Sequence, residues 1–194
     1  MPIAINGSGT VTGISVGGLP DGIVDTDMIA ANAVTAPKRG TGAILQVVSA
    51  TKTDTFNTTS SSFVDITGLG VTITPQSTSS KILILFGIFG CNSNAGSRWA
   101  VRLLRDPTAI AIGDADGNRV RCTGSSETSG GGGNMKCFSG NHLDSPSTTS
   151  ATTYKFQAAA VDGNTLKINS SVADTNISSY PRTACYITAL EIGG

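Results

Sequence analysis

From Ile44 to the C-terminus, apolar residues recur at every second position and are rich in β-branched side chains. Clusters of Ser, Thr, Gly and Pro separate these runs. A period of two is typical of a half-buried β-strand, and such clusters mark turns. The pattern predicts strands near residues 44–53, 63–66, 71–74, 81–91, 98–105, 109–112, 154–161, 166–171 and 185–192. Nine strands in about 150 residues predict an all-β fold, a sandwich or a barrel.

Two short motifs predict tight turns. Asp116-Gly117-Asn118 and Asp162-Gly163-Asn164 supply residues that tolerate the positive φ angles of two-residue loops. We therefore expect a β-hairpin at each motif.

The run KILILFGIFGC, residues 81–91, is apolar at nearly every position. A strand of an antiparallel sandwich normally alternates, because one face meets the core and the other meets water. This strand is therefore expected to be covered on both faces. A subunit interface and a covering loop or arm are both consistent with the pattern.

Residues 1–43 are rich in Gly, Ala, Thr and Asp, and their apolar residues are isolated. This composition predicts an extended arm rather than a core. Asp25 or Thr26 could cap one short helix that runs to Ala33 and stops before Pro37. A helix of that length is marginal in water, so it needs a docking surface. We therefore divide the chain into an N-terminal attachment arm, residues 1–43, and a β-sandwich domain, residues 44–194.

Residues 121–146 are polar and rich in glycine, which predicts a long loop or a frayed hairpin at one end of the sandwich. Recognition often resides in such loops. The candidate receptor-facing residues are Ser129, Gly130, Asn134, Lys136, Asn141 and His142. Cys122 and Cys137 flank the glycines, so one disulfide and four reduced thiols both remain open.

The composition argues against several functions. Thirteen basic and thirteen acidic residues give a formal charge of zero, so the concentrated positive face of a nucleic-acid binder is not expected. The longest apolar run is about half of the roughly 20 residues that a membrane helix needs, so no membrane insertion is expected. The N-terminus lacks the basic and apolar regions of a signal peptide.

His142 is the only histidine, and no motif for a catalytic triad, a phosphate loop, a metal site or a cofactor accompanies it. We expect no enzyme, no metal and no cofactor.

Trp99 lies on a predicted strand with Arg98, Arg102 and Arg105. These side chains could line a strip that binds a sugar or a partner. Alternatively, Trp99 anchors the core and the arginines lie on a solvated face.

The segment INGSGTVTGISVGGLPDGIVDTDMIAANAVTAPKRG, residues 5–40, resembles the N-terminal arm of fibre-type virion proteins of tailed bacteriophages, notably those of marine bacteria and cyanobacteria. In that family, segments of the form Asp-x-Asp-[Ile/Met]-x-Ala-x-Ala-[Val/Ile]-Thr-x-x-Lys recur near the attachment end. The residues that match this form in order, with one additional residue between Met28 and Ala31, are Asp25, Asp27, Met28, Ala31, Ala33, Val34, Thr35 and Lys38. The Ser/Thr-rich β domain beyond Ile44, which ends in ACYITALEIGG, residues 184–194, is similar to the jelly-roll knobs that close many phage fibres and head decorations.

The resemblance implies a homotrimer on the virion, assembled in the host cytoplasm, in which the arm binds other virion proteins and the jelly-roll sandwich faces outward. The arm residues expected to become buried are Ile3, Ile5, Val11, Ile14, Ile23, Met28, Ile29 and Val34. The family's long fibres have a repetitive shaft, which this chain lacks. We therefore expect a short tail fibre or spike that binds the host surface, with a capsid decoration or head-fibre protein as the alternative.

A further alternative is a carbohydrate-binding module or a glycan-cleaving enzyme that uses residues 122–137, and a host-surface glycan is a candidate ligand in either case. The available carboxylate pairs, Asp114 with Asp116 and Glu127 with Asp144, have no context that identifies an acid and a nucleophile.

Overall fold

The computed structural model describes residues 33–34 and 38–194. The chain divides into two units, Met1–Arg39 and Gly40–Gly194. The short helix predicted after Asp25 lies outside the described residues. The following description concerns the second unit.

The described residues form eleven β-strands. They are β1 (Ile44–Lys52), β2 (Phe56–Thr58), β3 (Val64–Ile73), β4 (Lys81–Asn92), β5 (Arg98–Arg105), β6 (Thr108–Ile110), β7 (Gly124–Glu127), β8 (Lys136–Asp144), β9 (Thr152–Ala159), β10 (Leu166–Ile168) and β11 (Cys185–Ile192). The predicted bounds of β5 and β11 agree with those observed.

The strands form two sheets, and every pairing is antiparallel. The first sheet has the order β1-β11-β4-β10-β2, and β8 also pairs with β4. Because β11 and β8 pair with the same stretch of β4, they lie on its two opposite edges. The second sheet has the order β3-β9-β5-β6, and β7 also pairs with β5.

The two sheets pack face to face around one core. Phe86 of the first sheet contacts Phe156 of the second, with ring centroids 4.8 Å apart. Trp99 is fully buried, which confirms its interpretation as a core anchor. Burial of a large apolar side chain stabilises a fold by about 1.5–3 kcal/mol. The fold is therefore an all-β, jelly-roll-like antiparallel sandwich, as predicted.

The predicted strands 63–66 and 71–74 are one strand, β3. Its register against β9 shifts between Asp65 and Gly70. Gly68, with φ of 81°, lies within this irregularity and adopts the left-handed conformation that glycine favours. The sequence pattern divided the strand because the irregularity interrupts the alternation.

The two turn motifs form turns but not hairpins. Gly117 and Gly163 have φ angles of 55° and 74°. However, the second motif joins β9 to β10, which belong to different sheets. The hairpin between β5 and β6 turns instead at Asp106, whose φ is 51°.

The prediction of a loop or frayed hairpin over residues 121–146 is wrong. β7 and β8 lie in this segment, and they belong to different sheets. The segment therefore crosses from one layer of the sandwich to the other. β8 was missed because its sequence, KCFSGNHLD, has few apolar residues.

Candidate functional site: two sheet faces and a loop cleft

The outward face of the first sheet carries a row of aliphatic side chains. Val47 of β1 lies opposite Leu190 of β11, which in turn lies opposite Leu83 of β4. Leu83 also lies opposite Leu143 of β8. Residues directly opposite each other in an antiparallel pair share a face. Val47 and Leu143 are 56% and 50% exposed, so this row across four strands is open to solvent.

Two further apolar side chains extend the row along the strands. Leu85 is 38% exposed and Tyr186 is 42% exposed. The Tyr186 ring lies across Gly87, where an added Cβ would come within 2.5 Å of it. We call this surface the apolar face, defined by Val47, Leu83, Leu85, Leu143, Tyr186 and Leu190.

The outward face of the second sheet is polar. Asp65 accepts hydrogen bonds from Lys155 Nζ (2.7 Å) and Gln157 Nε2 (2.6 Å). Arg102 donates to Gln157 at 2.8 Å, and its guanidinium lies 4.3 Å from the centre of the Phe63 ring. Hydrogen bonds from Lys155 and then Gln157 lower the pKa of the Asp65 carboxyl. The outward face of the second sheet is therefore hydrophilic, whereas that of the first sheet is apolar.

Three of the predicted receptor-facing residues lie in a strand instead of a loop. Lys136, Asn141 and His142 belong to β8, which pairs with β4 along residues 82–90. Asn141 lies opposite Leu85 and shares the outward face with it. Lys136 and His142 are an odd number of residues from Asn141, so they point to the other side of the strand.

The other three predicted residues lie in the loop between β7 and β8. Asn134 Nδ2 donates to the backbone carbonyls of Ser129 and Gly130. This amide closes the loop on itself. The structure therefore separates the six predicted residues into a loop group and a strand group.

This glycine-rich loop packs against the segment between β10 and β11. The backbone N–H of Ala173 donates to the carbonyl of Gly132 at 2.9 Å. A Cβ added at Gly133 would come 2.6 Å from the carbonyl oxygen of Ser179, and Gly132 faces the Tyr180 ring. Glycine is needed here because the two backbones approach closely.

A cleft of about 410 Å³ opens in the same segment. We call it the loop cleft, and it is lined by Asp174, Thr175, Asn176, Ile177, Tyr180 and Arg182. Arg182 Nη2 lies 2.8 Å from Asp174 Oδ1, so the two charges in the cleft neutralise each other. A β-bridge between Ser170 and Arg182 closes the base of the segment.

The two sheets are also joined by a buried polar network, which we call the inter-sheet clasp: Arg105, Asp144 and Tyr154. Arg105 Nη1 donates to both Asp144 oxygens at 3.0 Å. The Tyr154 hydroxyl donates to Asp144 Oδ2 at 2.6 Å. Burial, followed by this hydrogen bond, raises the pKa of Tyr154. Asp144 lies in the first sheet and its partners lie in the second, so the clasp fixes one edge of the sandwich.

Asp144 of the clasp is also a member of one candidate carboxylate pair, Glu127 with Asp144. Both oxygens of Asp144 already accept hydrogen bonds, and its side chain is only 9% exposed. The other candidate carboxylate pair is Asp114 with Asp116. Asp116 Oδ2 lies 2.6 Å from Arg119 Nη1, and both side chains of this ion pair are exposed.

The cysteines are free thiols, including Cys122 and Cys137. Cys91 and Cys185 are buried, and burial raises the pKa of each to about 11. Burial also raises the pKa of the half-buried Cys122. Cys137 is exposed. Of the two alternatives that the sequence left open, this state corresponds to four reduced thiols.

The arm residues fall largely outside the described residues. These are Ile3, Ile5, Val11, Ile14, Ile23, Met28 and Ile29. Val34 is described and is 49% exposed.

The described residues contain no cluster of three or more His, Cys, Asp or Glu side chains that could hold a metal ion. In the same part of the chain, no helix has the length and apolar character needed to cross a membrane.

The doubly apolar run 81–91 indicated the part of the apolar face on β4, but it did not indicate the residues on β1, β8 and β11 or the loop cleft. The row on the apolar face depends on the register of four strands, which alternation alone does not fix. The cleft residues are polar and aperiodic, and their glycine neighbours lie about forty positions away. The Tyr in the sequence SSYPR, residues 178–182, was the one available indication of a packed loop.

No family model and no curated protein matches the chain. Among solved structures, the chain is similar to that of infectious bursal disease virus, Gx strain, with 14% identity and a TM-score of 0.39. The match covers 77% of this chain and 38% of that chain. A VP2 subviral particle of the same virus gives 15% identity and a TM-score of 0.39 over 76% of this chain and 37% of that chain. The chain thus spans less than two fifths of these structures, and the fold assignment rests on the strand pairing given above.

Proposed function

We propose that the protein is a virion structural component of the short tail-fibre or spike type. Residues 1–43 attach it to the particle, and the sandwich projects toward the host surface. The observation that carries this proposal is the contrast between the two outer faces, one apolar and one polar. The likeness of residues 5–40 to the arms of phage fibre proteins supports it independently.

The apolar face is proposed to pack against other copies in a homotrimer. Its six defining side chains carry no charge, so copies can meet there without burying an unpaired ion. Contiguous apolar patches are uncommon on monomers and mark interaction sites. Full burial of a side chain such as Leu143, already half covered, would stabilise the assembly by about 1 kcal/mol.

The arm is proposed to bind other virion proteins through its isolated apolar residues. The sandwich begins before β1, because Gly42 N–H donates to the Gly193 carbonyl (2.7 Å) and Gly193 N–H donates to that of Ala43 (2.9 Å). A deletion should therefore remove residues 1–39 and keep these two hydrogen bonds.

The deletion tests attachment directly. We expect the shortened chain to keep its β circular dichroism spectrum and to be missing from purified particles, whereas the full chain co-purifies with them. A shortened chain that still co-purifies with particles at the full-chain level would refute the attachment role.

A capsid decoration or head-fibre protein is the alternative within this class. Copy number separates the two: a few trimers per particle indicate a tail position, and a lattice over the capsid indicates decoration. Counting the protein against the major capsid protein in purified particles makes this distinction.

We further propose that the protein binds without cleaving. Incubation with a purified host polysaccharide should leave the chain length of the polysaccharide unchanged. New reducing ends would contradict this part of the proposal and favour the glycan-cleaving alternative.

A further inference from the structure

We propose that the loop cleft binds an uncharged, hydroxyl-rich ring, a pyranose unit of a glycan. The source of that glycan, a host surface, rests on the function proposed above, but the binding itself does not. The site differs from the predicted receptor-facing residues, none of which lines the cleft.

The size and support of the cleft are suitable for a small ligand. Its volume of about 410 Å³ lies within the roughly 300–1,000 Å³ of typical ligand sites. The segment is fixed at several points. Lys167 Nζ donates to the Val172 carbonyl at 2.7 Å, and Tyr180 N–H donates to the Ile177 carbonyl at 2.9 Å. A braced loop loses less conformational freedom on binding.

Two glycines of the loop between β7 and β8 hold the Tyr180 ring in place. Gly132 and Gly133 pack against it, and neither position has room for a Cβ. Tyr180 is also one of the residues that line the cleft. An aromatic ring offers an apolar surface to the C–H groups of a sugar, while its hydroxyl stays polar.

The charge of the cleft favours a neutral ligand. Asp174 and Arg182 form an ion pair within it, so an anion would have to displace the carboxylate and a cation would have to displace the guanidinium. Sugar hydroxyls both donate and accept hydrogen bonds. They can bond to the remaining acceptors of Asp174 and the remaining donors of Arg182 without breaking the pair.

Two polar side chains in the cleft remain available for a ligand. Within the described part of the chain, the side chains of Thr175 and Asn176 make no hydrogen bond, and both residues are exposed. An amide supplies two donors and one acceptor oxygen, and a hydroxyl supplies one donor and an acceptor. These groups match the alternating donors and acceptors on a pyranose edge.

The test is a titration of the isotope-labelled full chain, followed by amide NMR shifts. The probes are the methyl glycosides of glucose, galactose, mannose and N-acetylglucosamine, each up to about 10 mM, which suits a millimolar Kd. Inorganic phosphate and Ca²⁺ serve as charged probes. We expect at least one glycoside to shift residues 174–182 and neither charged probe to do so.

A pair of matched variants locates the site. Asn176→Ala removes an exposed amide in the cleft, and Asn118→Ala removes an exposed amide in the loop between β6 and β7. We expect Asn176→Ala to weaken glycoside binding about five- to tenfold, as loss of one or two hydrogen bonds implies. Asn118→Ala should leave the affinity unchanged, and both variants should keep the wild-type spectrum elsewhere.

Three results would overturn the inference: no glycoside shifts the cleft residues, phosphate or Ca²⁺ shifts them in place of the glycosides, or Asn176→Ala binds as wild type does. Failure of the proposed virion role is measured separately, by co-purification of Asn176→Ala with particles. That variant should join particles normally, whether or not it binds sugar.

Discussion

At the scale of single residues, the inter-sheet clasp joins the two sheets through a carboxylate, a guanidinium and a hydroxyl. Asp144 is almost fully buried, and it accepts hydrogen bonds from both Arg105 and Tyr154. Such a network stabilises the fold only when all of its members are present. If one member is removed, the others stay buried without a hydrogen-bond partner, and the free energy of their desolvation is no longer offset. This explains why a charged group is tolerated between two apolar sheets.

Replacement of Asp144 by Asn should lower the free energy of unfolding by about 1–3 kcal/mol, because Arg105 would remain two-thirds covered without a counter-charge. Denaturant titration measures this change. The control is Asp116→Asn, which breaks an exposed ion pair with Arg119 and should cost less than about 1 kcal/mol. Equal losses in the two variants would show that the clasp does not stabilise the fold.

The lowered pKa of Asp65 predicts a dependence on pH. A carboxyl whose folded pKa lies below its ordinary value of 3.8 stabilises the fold above that value, and the contribution disappears as pH falls through the folded pKa. Asp65→Asn should therefore be less stable than wild type near neutral pH, and the difference should shrink below the ordinary pKa. Thermal unfolding across pH tests this, and a difference that stays constant down to low pH would contradict it.

At the scale of elements, the chain shows where sequence reasoning succeeds. β5 and β11 were predicted with their observed bounds. Burial alternates along β11, whereas β5 is a mostly buried apolar run that begins and ends at an arginine. β8 was missed because it combines Ser, Gly and Asn with only two large apolar residues. The loop cleft was missed because its walls and its supporting glycines lie far apart in sequence, and only the folded sandwich brings them together.

The contact between the glycine-rich loop and the segment between β10 and β11 predicts how that segment responds to a mutation in the loop. Gly133→Ala places a Cβ close to the backbone carbonyl of Ser179, whereas at Gly130 the nearest atom lies 3.9 Å away. We expect faster amide hydrogen exchange at Ala173 in Gly133→Ala, because its hydrogen bond to Gly132 depends on this packing. The exchange rate should be unchanged in Gly130→Ala. Equal rates in both variants would mean that the loop does not brace the cleft.

At the scale of the whole molecule, the two outer faces of the sandwich differ, since one is polar and the other is apolar. The second sheet carries a network of paired charges and amides, and the first carries a row of aliphatic side chains across four strands. In the strand KILILFGIFGC, one side enters the core. On the other side, Leu83 and Leu85 belong to the apolar face, whereas Cys91 is buried. Assembly of copies through this face is therefore the central claim about function.

Sedimentation equilibrium of the full chain tests that claim most directly, with Leu143→Lys as the disrupting variant and Thr67→Lys, on the second sheet, as the control. Leu143 is half exposed, so a lysine there should leave the fold intact while placing a charge in the interface. We expect trimers for the wild type and Thr67→Lys, and monomers for Leu143→Lys. A monomeric wild type, or a Leu143→Lys variant that remains a trimer, would contradict assembly through the apolar face.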